Sequence, residues 1–221
     1  MSRSQSVEDY LKAIYKLQGE KEDGSGVSTT QLAKKMEVAN ASVTNMLKRL
    51  ADMGLVNYES YYGTRLTESG NKIALEMIRH HRLLELYLKE MLGYSWDEVH
   101  EEAEKLEHHI SEQFEDKIAE MLNHPTVDPH GDPIPTKDGK MPSVRSNKLT
   151  KVKEGVPQMI KRVKNQSPDL LRYLEKQGLI PGVKVQIISK EPFDGPIKIQ
   201  VEEKTTTIGF SIADDIYVVD I

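Results

Sequence analysis

Hydrophobic residues recur every three or four positions along the first quarter of the chain, and this spacing predicts helices. The first predicted helix covers residues 7–20 and has one apolar face. Two shorter predicted helices follow, TTQLAKKM and ASVTNMLKRLADM, and Gly54 is well placed to end the second of them. Two short helices joined by a tight turn are typical of a helix-turn-helix.

The pattern then changes to strands and back to helices. LVNYESYYGTRLT predicts a β-hairpin that turns at residues 62–64. A long helix is predicted over residues 67–92. Another is predicted to begin at Ser95 and to continue to about residue 122, with a break near residues 109–111. A hairpin directly after two short helices predicts the winged form of the helix-turn-helix.

The remainder of the chain has a third pattern. Residues 123–147 are rich in Pro, Gly and Asp and predict a loop. One helix, PDLLRYLEKQ, is predicted between Ser167 and Gly178, among short β-branched runs typical of a small barrel-like β domain. These runs are TKVKEGV, MIKRV, VKVQIIS, IKIQVEE, TTTIGF and IYVVDI. The predicted fold class is α+β, mainly α.

Composition narrows the chemistry. The 221 residues include no cysteine, so any metal must be held by imidazole and oxygen. No stretch approaches the roughly eighteen apolar residues of a membrane span, and the first residues lack the apolar stretch of a signal peptide. We therefore expect a cytoplasmic protein with no membrane partner. The net charge is −5, but residues 76–125 hold 13 acidic and 5 basic side chains, so a basic surface can still exist nearer the N-terminus.

The second short helix is predicted to lie in the major groove of DNA, with its N-terminal residues facing the bases. Asn45 has an amide that can pair with adenine, and Ala41 fits a thymine methyl group. Ser42, Thr44 and Asn40 are further candidates for DNA contacts, and the phosphate candidates are Lys34, Lys35, Lys48, Arg49 and wing residue Arg65. The alternative is a helix-turn-helix that only packs against other helices, and the hairpin argues against it.

Carboxylates and imidazoles cluster on two of the later predicted helices. His81 and Glu85 are four positions apart and share a face. The next helix has a single predicted stripe of His100, Glu104, Glu107 and His108. Such a stripe is unfavourable unless a cation neutralises it, which indicates a metal site. Chance alignment on a Glu-rich helix is the alternative.

Enzymatic functions have weaker support. His100-Glu101 begins the HExxH motif of zinc proteases, but position 104 is Glu where the motif requires His. For a metal-dependent hydrolase we find no nucleophile–base set and no Gly-rich phosphate loop, and no catalytic residue is predicted. A metal buffer, or an adaptor that binds partners through the β domain, remains an alternative.

Several motifs in order are similar to those of one family. EDYLKAIY, ASVTNMLKRL, GLV followed by LTESG, HHRLLE and VHEEAEKLEHH resemble the diphtheria-toxin-repressor-type metalloregulators, including their manganese-transport-regulator branch. This resemblance covers residues 5–122, and HPTVDPHGDPIP with the β-rich end resembles the three-domain members. It implies a winged helix-turn-helix DNA-binding domain over residues 1–72, a helical metal-binding and dimerisation domain over 73–124, a linker loop over 125–148 and an SH3-like (FeoA-like) domain over 149–221.

The resemblance also implies two sets of ligands. The primary site would comprise Asp9, Glu104, Glu107 and His108. The second would draw on His81, Glu85 and His100. Asp128 and His130 fall where some three-domain manganese repressors have second-site ligands, and Asp169 is a weaker candidate. An ordinary turn aspartate and a solvent-facing histidine are the alternative for Asp128 and His130.

Two positions bear on the choice of metal. Asp9 and Glu104 stand where iron-responsive members have Met and Cys, and oxygen donors suit Mn(II). Lys12 stands where the manganese branch has a glutamate, which argues against a two-metal centre. The resemblance therefore implies a homodimeric repressor of metal-uptake genes that binds palindromic operator DNA. We expect Mn(II) as its effector, with Fe(II) as the alternative, and no organic cofactor.

Overall fold

The computed structural model describes residues 4–19, 21, 25–59 and 62–221. The chain forms two compact units. The first contains the described residues as far as His80, together with residues 107–110 and 135–141. The second contains residues 81–106, 111–134 and 142–221. An α+β fold is confirmed, with an N-terminal winged helix-turn-helix, a helical segment and a β-sheet domain.

The first unit contains the winged helix-turn-helix. Its elements are α1 (Gln5–Gly19), α2 (Thr29–Met36), α3 (Asn40–Asp52), β1 (Val56–Glu59), β2 (Gly63–Leu66) and the first half of α4 (Glu68–Leu92). Ser28 begins α2 with a capping box, in which its hydroxyl accepts from the Gln31 amide and the Gln31 side chain accepts from the Ser28 amide. Gly54, with φ +70, follows α3 as expected for a helix stop.

The hairpin differs from the prediction in its turn. Gly63 pairs with Glu59 and Thr64 with Tyr58, so residues 63 and 64 are strand. The predicted turn at 62–64 is therefore wrong in position. Residues 60–61 lie outside the described part of the chain. Residue 20, where we expected α1 to end, also lies outside it.

Close packing joins the start of α4 to the hairpin side of the first unit. A Cβ on Gly70 would lie 2.0 Å from the Leu55 carbonyl oxygen. Leu11, Ile14, Leu32 and Leu47 are fully buried in the core of this unit. Helix α3, which contributes Leu47 to this core, is therefore fixed on a packed support.

The second unit begins with the remainder of α4 and continues with α5 (Val99–Leu106) and α6 (Glu112–Met121). The predicted break is confirmed, because Ser111 caps α6 by accepting from the Phe114 amide. The predicted start at Ser95 is wrong: its hydroxyl donates to Glu98 at 2.7 Å within a turn, and α5 starts only at Val99.

Six antiparallel strands form the sheet of the β domain, in the order β3-β8-β4-β5-β6-β7. They are β3 (Asn147–Lys148), β4 (Pro157–Val163), β5 (Lys184–Lys190), β6 (Ile197–Val201), β7 (Lys204–Ile208) and β8 (Ile216–Asp220). The predicted helix is α7 (Pro168–Gln177), with Gly178 left-handed after it. Trp96 is buried in the core of this domain with the strand side chains.

One of the predicted strand runs is wrong, and a second is wrong only in its last two residues. TKVKEGV forms a 3-10 turn, Leu149–Lys151, followed by loop, because the Val152 amide closes back on the Leu149 carbonyl. TTTIGF leaves β7 after Ile208, and Phe210 begins a short helix, α8 (Phe210–Asp214). None of the helices in the described residues is both long enough and apolar enough to cross a membrane.

Candidate metal centres and DNA-binding surface

The helix α3 buries one face and exposes the other. Val43, Leu47 and Leu50 are buried and hold the helix on its support. The candidate DNA contacts that are exposed on this helix are Asn40, Ala41, Ser42, Asn45, Lys48 and Arg49. A side-chain surface of amides, hydroxyls and cations is what reading bases and neutralising phosphates requires.

The other candidate DNA contacts are Lys34 and Lys35 on α2, Arg65 on β2, and Thr44. The three cations are exposed. Thr44 is half-buried, and its hydroxyl donates to the Asn40 carbonyl at 3.0 Å. Because the hydroxyl proton is used within the helix, only the lone pairs of Thr44 remain for a contact with DNA.

Asp9, Glu107 and His108 form the first candidate metal centre, with one ligand atom of each within 4.8 Å of the others. Asp9 lies on α1, and the other two lie in the turn after α5. His108 Nε2 lies 3.0 Å from Asp9 Oδ1 and 3.5 Å from Glu107 Oε1. One imidazole and two carboxylates provide nitrogen and oxygen donors that suit a divalent cation.

Three neighbours hold this centre in place. Glu8 Oε2 lies 2.8 Å from His108 Nδ1. Lys12 donates from Nζ to Glu107 Oε1 at 2.6 Å, and both side chains are buried. His80 is also buried, with Nδ1 3.2 Å from the Glu107 carbonyl oxygen. The turn that carries two candidate ligands is therefore fixed against α1 and α4 within the first unit.

The single helical stripe that the spacing predicted on one helix is wrong. Helix α5 ends at Leu106, so His100 and Glu104 are helical, whereas Glu107 and His108 are in a turn. The Glu104 carboxylate lies 3.8 Å from His100 Nε2 and 4.0 Å from His81 Nδ1, and these three residues form a second candidate group.

Glu85 is the centre of the histidine cluster. Its Oε1 lies 2.9 Å from His81 Nε2 and 3.1 Å from His100 Nδ1, so the structure brings together the three residues expected at a second site. Burial alone would raise the pKa of the Glu85 carboxyl. The charge of His81 and polar contacts with His100 and His130 outweigh burial and hold this pKa well below its ordinary value.

Asp128 and His130 are buried, and with Glu85 they form a third candidate group. The alternative of a solvent-facing histidine is wrong, since His130 is 0% exposed. Its Nε2 lies 2.7 Å from the Trp96 carbonyl oxygen, and its Nδ1 lies 3.8 Å from Glu85 Oε2. Burial, together with the charges of Glu85 and Asp132, raises the pKa of Asp128 to about 7.

Contacts with the β domain position this loop. Gly131 has φ +87, and a Cβ there would lie 1.9 Å from the Lys161 carbonyl oxygen. The Val163 amide donates to the His130 carbonyl at 2.9 Å. Asp128 Oδ1 accepts from the amides of His130 and Asp132 at 2.8 and 2.9 Å, so it also has the turn-capping role.

The sequence reasoning missed two charged residues at these centres. Glu8 contacts His108, and its position next to Asp9 was the available signal. Arg82 has Nε 3.6 Å from Asp128 Oδ2, and no sequence pattern indicates this contact. The weaker candidate, Asp169, has a fully exposed side chain that pairs with Arg172 at 2.6 Å and belongs to none of the three groups.

Comparisons with known proteins match all three parts of the chain. Family models match as "Iron dependent repressor, N-terminal DNA binding domain" over residues 3–64, "Iron dependent repressor, metal binding and dimerisation domain" over 67–136 and "FeoA domain" over 147–220. The iron-dependent repressor IdeR of Mycobacterium leprae (strain TN) is 30% identical over 195 residues, which cover 82% of this chain and 83% of that protein.

Solved structures are similar over nearly the whole chain. A manganese-dependent transcriptional repressor in complex with manganese is 36% identical with a TM-score of 0.87, covering 97% of this chain and 100% of that one. ScaR with bound Zn2+ is 33% identical with a TM-score of 0.79, covering 97% and 99%.

A winged helix-turn-helix combined with buried histidine–carboxylate groups defines a metal-dependent DNA-binding regulator. The chain belongs to the iron-dependent repressor family, in its three-domain form. It is a metal-dependent transcriptional repressor that binds operator DNA as a homodimer, and it is not an enzyme.

Proposed function

We propose that this repressor responds to Mn(II) and represses metal-uptake genes in the cytoplasm. Asp9, Glu107 and His108 would hold the activating ion. The observation that carries the proposal is the position of His108 Nε2, which faces two carboxylates at 3.0 and 3.5 Å. Carboxylates only accept hydrogen bonds, and so does an imidazole nitrogen that carries no proton. Although Lys12 already donates to Glu107, a cation beside His108 Nε2 would satisfy both Asp9 and the imidazole lone pair.

The donor types support manganese. All the candidate ligands offer oxygen or imidazole nitrogen, and the chain has no cysteine. Carboxylate-rich sites suit Mn(II), whereas thiolate and thioether favour softer ions. Lys12 already brings one positive charge to Glu107, which supports one ion at this centre. The place of Glu104 among the primary ligands stays a prediction.

A second ion site is proposed around Glu85. Its ligands would come from His81, His100 and Glu104 on one side and from Asp128 and His130 on the other. Two groups of donor atoms that lie close together support this second site, His81 with His100 and Glu104, and Glu85 with Asp128 and His130. Arg82 is near enough to Asp128 to balance part of the buried negative charge.

The DNA side of the proposal rests on α3 and the wing. Asn40, Ala41, Ser42, Thr44 and Asn45 face bases, and the exposed lysines and arginines of α2, α3 and β2 bind phosphates. Asp9 on α1 and the turn residues Glu107 and His108 would hold the ion, whose positive charge would let these carboxylates approach one another. A dimer fixed in this way would favour the spacing at which both α3 helices enter successive major grooves, about 34 Å apart.

Fluorescence anisotropy tests this proposal on a labelled pool of palindromic duplexes. Chelated protein should bind the pool poorly, and micromolar Mn(II) should restore binding. Asp9→Ala and His108→Ala should abolish the Mn(II) response, while Glu68→Ala, an exposed carboxylate of the same unit, should keep it. Equal binding in EDTA and in Mn(II) would reject the proposal.

A further inference from the structure

His108 has a carboxylate against each of its two ring nitrogens. Nδ1 lies 2.8 Å from Glu8 Oε2, and Nε2 lies 3.0 Å from Asp9 Oδ1. The Nε2 side also has Glu107 Oε1 at 3.5 Å. The His108 side chain is 6% exposed and that of Glu8 is 12% exposed, so water reaches little of the contact between them, whereas the Asp9 side chain is 36% exposed.

The chemistry of imidazole limits how these contacts can be made. A neutral ring carries a proton on one nitrogen and a lone pair on the other, whereas an ionised carboxylate has only lone pairs. A neutral His108 can therefore donate to a carboxylate from one nitrogen, while the lone pair of its other nitrogen is suited to a cation. Asp9 and Glu107 converge at Nε2, whereas Glu8 is the one carboxylate within contact distance that the described residues place at Nδ1.

We infer that Glu8 is a positioning residue of the metal centre, which it serves by holding His108 as the Nδ1–H tautomer with the Nε2 lone pair directed at the ion. This inference rests on the proposed metal centre. A carboxylate that accepts from the second nitrogen of a ligating histidine fixes both the tautomer and the ring plane, and it makes the ligating nitrogen a stronger donor.

The sequence of α1 makes this arrangement possible. Glu8 and Asp9 are adjacent, so their side chains leave the helix about 100° apart and reach opposite edges of the same ring. Lys12 lies one turn after Glu8 and donates to Glu107, the third member of the group. Two residues of α1 that are not ligands thus orient the two ligands that come from the 107–108 turn.

Metal affinity gives the first test. Mn(II) binding would be titrated by electron paramagnetic resonance of the free ion, with circular dichroism to check folding of each variant. Glu8→Ala should weaken binding roughly 10- to 100-fold, as loss of such a partner does in other metal sites. Glu8→Gln should recover most of the affinity, because its amide oxygen can accept the same Nδ1–H. Glu68→Ala is the matched control and should bind as the unaltered protein does.

The tautomer gives a second test that does not depend on affinity. Long-range ¹H–¹⁵N spectra of the Cd(II)-loaded protein should show His108 with its proton on Nδ1 and its metal bond at Nε2. Glu8→Gln should keep this signature, and Glu8→Ala should broaden it or mix it with the other tautomer. A proton on Nε2 in the unaltered protein would overturn the inference, even if Glu8→Ala does not fold.

The metal centre and the role of Glu8 can be rejected separately. If Asp9→Ala and His108→Ala bind Mn(II) as tightly as the unaltered protein, the centre itself is wrong and the role of Glu8 falls with it. If those variants lose binding but a folded Glu8→Ala keeps full affinity, the centre stands and only the positioning role of Glu8 is rejected.

Discussion

Lys12 and Glu107 form a buried ion pair, with Nζ and Oε1 2.6 Å apart. Removing one partner of such a pair leaves an uncompensated charge in the protein interior, which costs about 3–5 kcal/mol. We predict that Lys12→Met lowers the thermal stability of the chelated protein by an amount of this order. Mn(II) should recover part of the loss, since it supplies Glu107 with another cation.

Differential scanning calorimetry with EDTA and with Mn(II) measures both effects. Lys105→Met is the matched control, because Lys105 pairs with Glu102 on the exposed surface of α5. The Lys105→Met protein should unfold at the same temperature as the unaltered protein. A Lys12→Met protein as stable in EDTA as the unaltered chain would show that the ion pair contributes little.

Asn45 and Arg65 separate base reading from phosphate binding. If Asn45 makes the proposed bidentate contact to a base, worth about 1–3 kcal/mol, Asn45→Ala should relax sequence preference. Arg65→Ala should weaken binding to all sequences and make it less salt-dependent. Selection from a randomised duplex library, followed by salt titration of the selected duplex, measures both. If both variants lose only non-specific affinity, α3 is not the reading helix.

At the scale of elements, the contact of Gly70 with the Leu55 backbone fixes the start of α4. Gly→Ala within a helix normally stabilises by about 1 kcal/mol. At Gly70 the added Cβ would lie 2.0 Å from a carbonyl oxygen that cannot move freely, so Gly70→Ala should destabilise the protein. Urea unfolding measures the change. Gly19→Ala, at the end of α1 with nothing within 4 Å, should be neutral or stabilising, and the same result at both positions would contradict the account.

Helix α7 is tied to the residues before α5 by Arg172, which donates to Asp97 at 2.6 Å. Burial raises the pKa of the Asp97 carboxyl, but polar contacts with Ser95 and Arg172 outweigh it and leave this pKa below its ordinary value. A lowered folded-state pKa stabilises above the unfolded-state pKa, and this stability is lost as pH falls through the folded-state value. Asp97→Asn should therefore flatten the acid side of the stability–pH curve, and an unchanged acid limb would contradict this.

Periodicity predicted the helices and strands best where one pattern dominates. Helices α4 and α7 match their predicted ranges closely. An apolar stripe runs along α4, and a proline and a glycine mark the two ends of α7. The pattern of the helix predicted from Ser95 is continuous as far as the break near residues 109–111, because Glu and His are compatible with helix up to that point. Glu107 and His108 contact residues of α1 that lie almost 100 positions away in sequence. No local sequence pattern predicts contacts over that distance.

The same limit applies to the candidate site. The four-residue spacing of His81 and Glu85 placed both on one face, and the structure brings them within 2.9 Å. The burial of His130 depends on the close approach of Gly131 to a carbonyl of β4. Because this approach is a tertiary contact, the local sequence around His130 is equally consistent with an exposed turn. Glu8 was not singled out because a carboxylate beside a candidate ligand has many possible partners.

For the whole molecule, the central question is how the protein selects its metal. Mn(II) binds most ligand sets more weakly than Fe(II) or Zn(II), so selectivity must lie in the activation step. Zn(II) prefers four ligands and can bind tightly while leaving Asp9 or another carboxylate unused, so that α1 is not drawn to the ion. Asp9→Met with Glu104→Cys should shift the response toward Fe(II), because sulfur donors favour the softer ion.

Anaerobic fluorescence anisotropy on the selected operator duplex, titrated in turn with Mn(II), Fe(II) and Zn(II), tests the account most directly. We predict that Mn(II) activates DNA binding at least as fully as Fe(II), and that Zn(II) binds the protein but activates it less. Strong activation by Fe(II) with only a weak response to Mn(II) in the unaltered protein would contradict the manganese assignment.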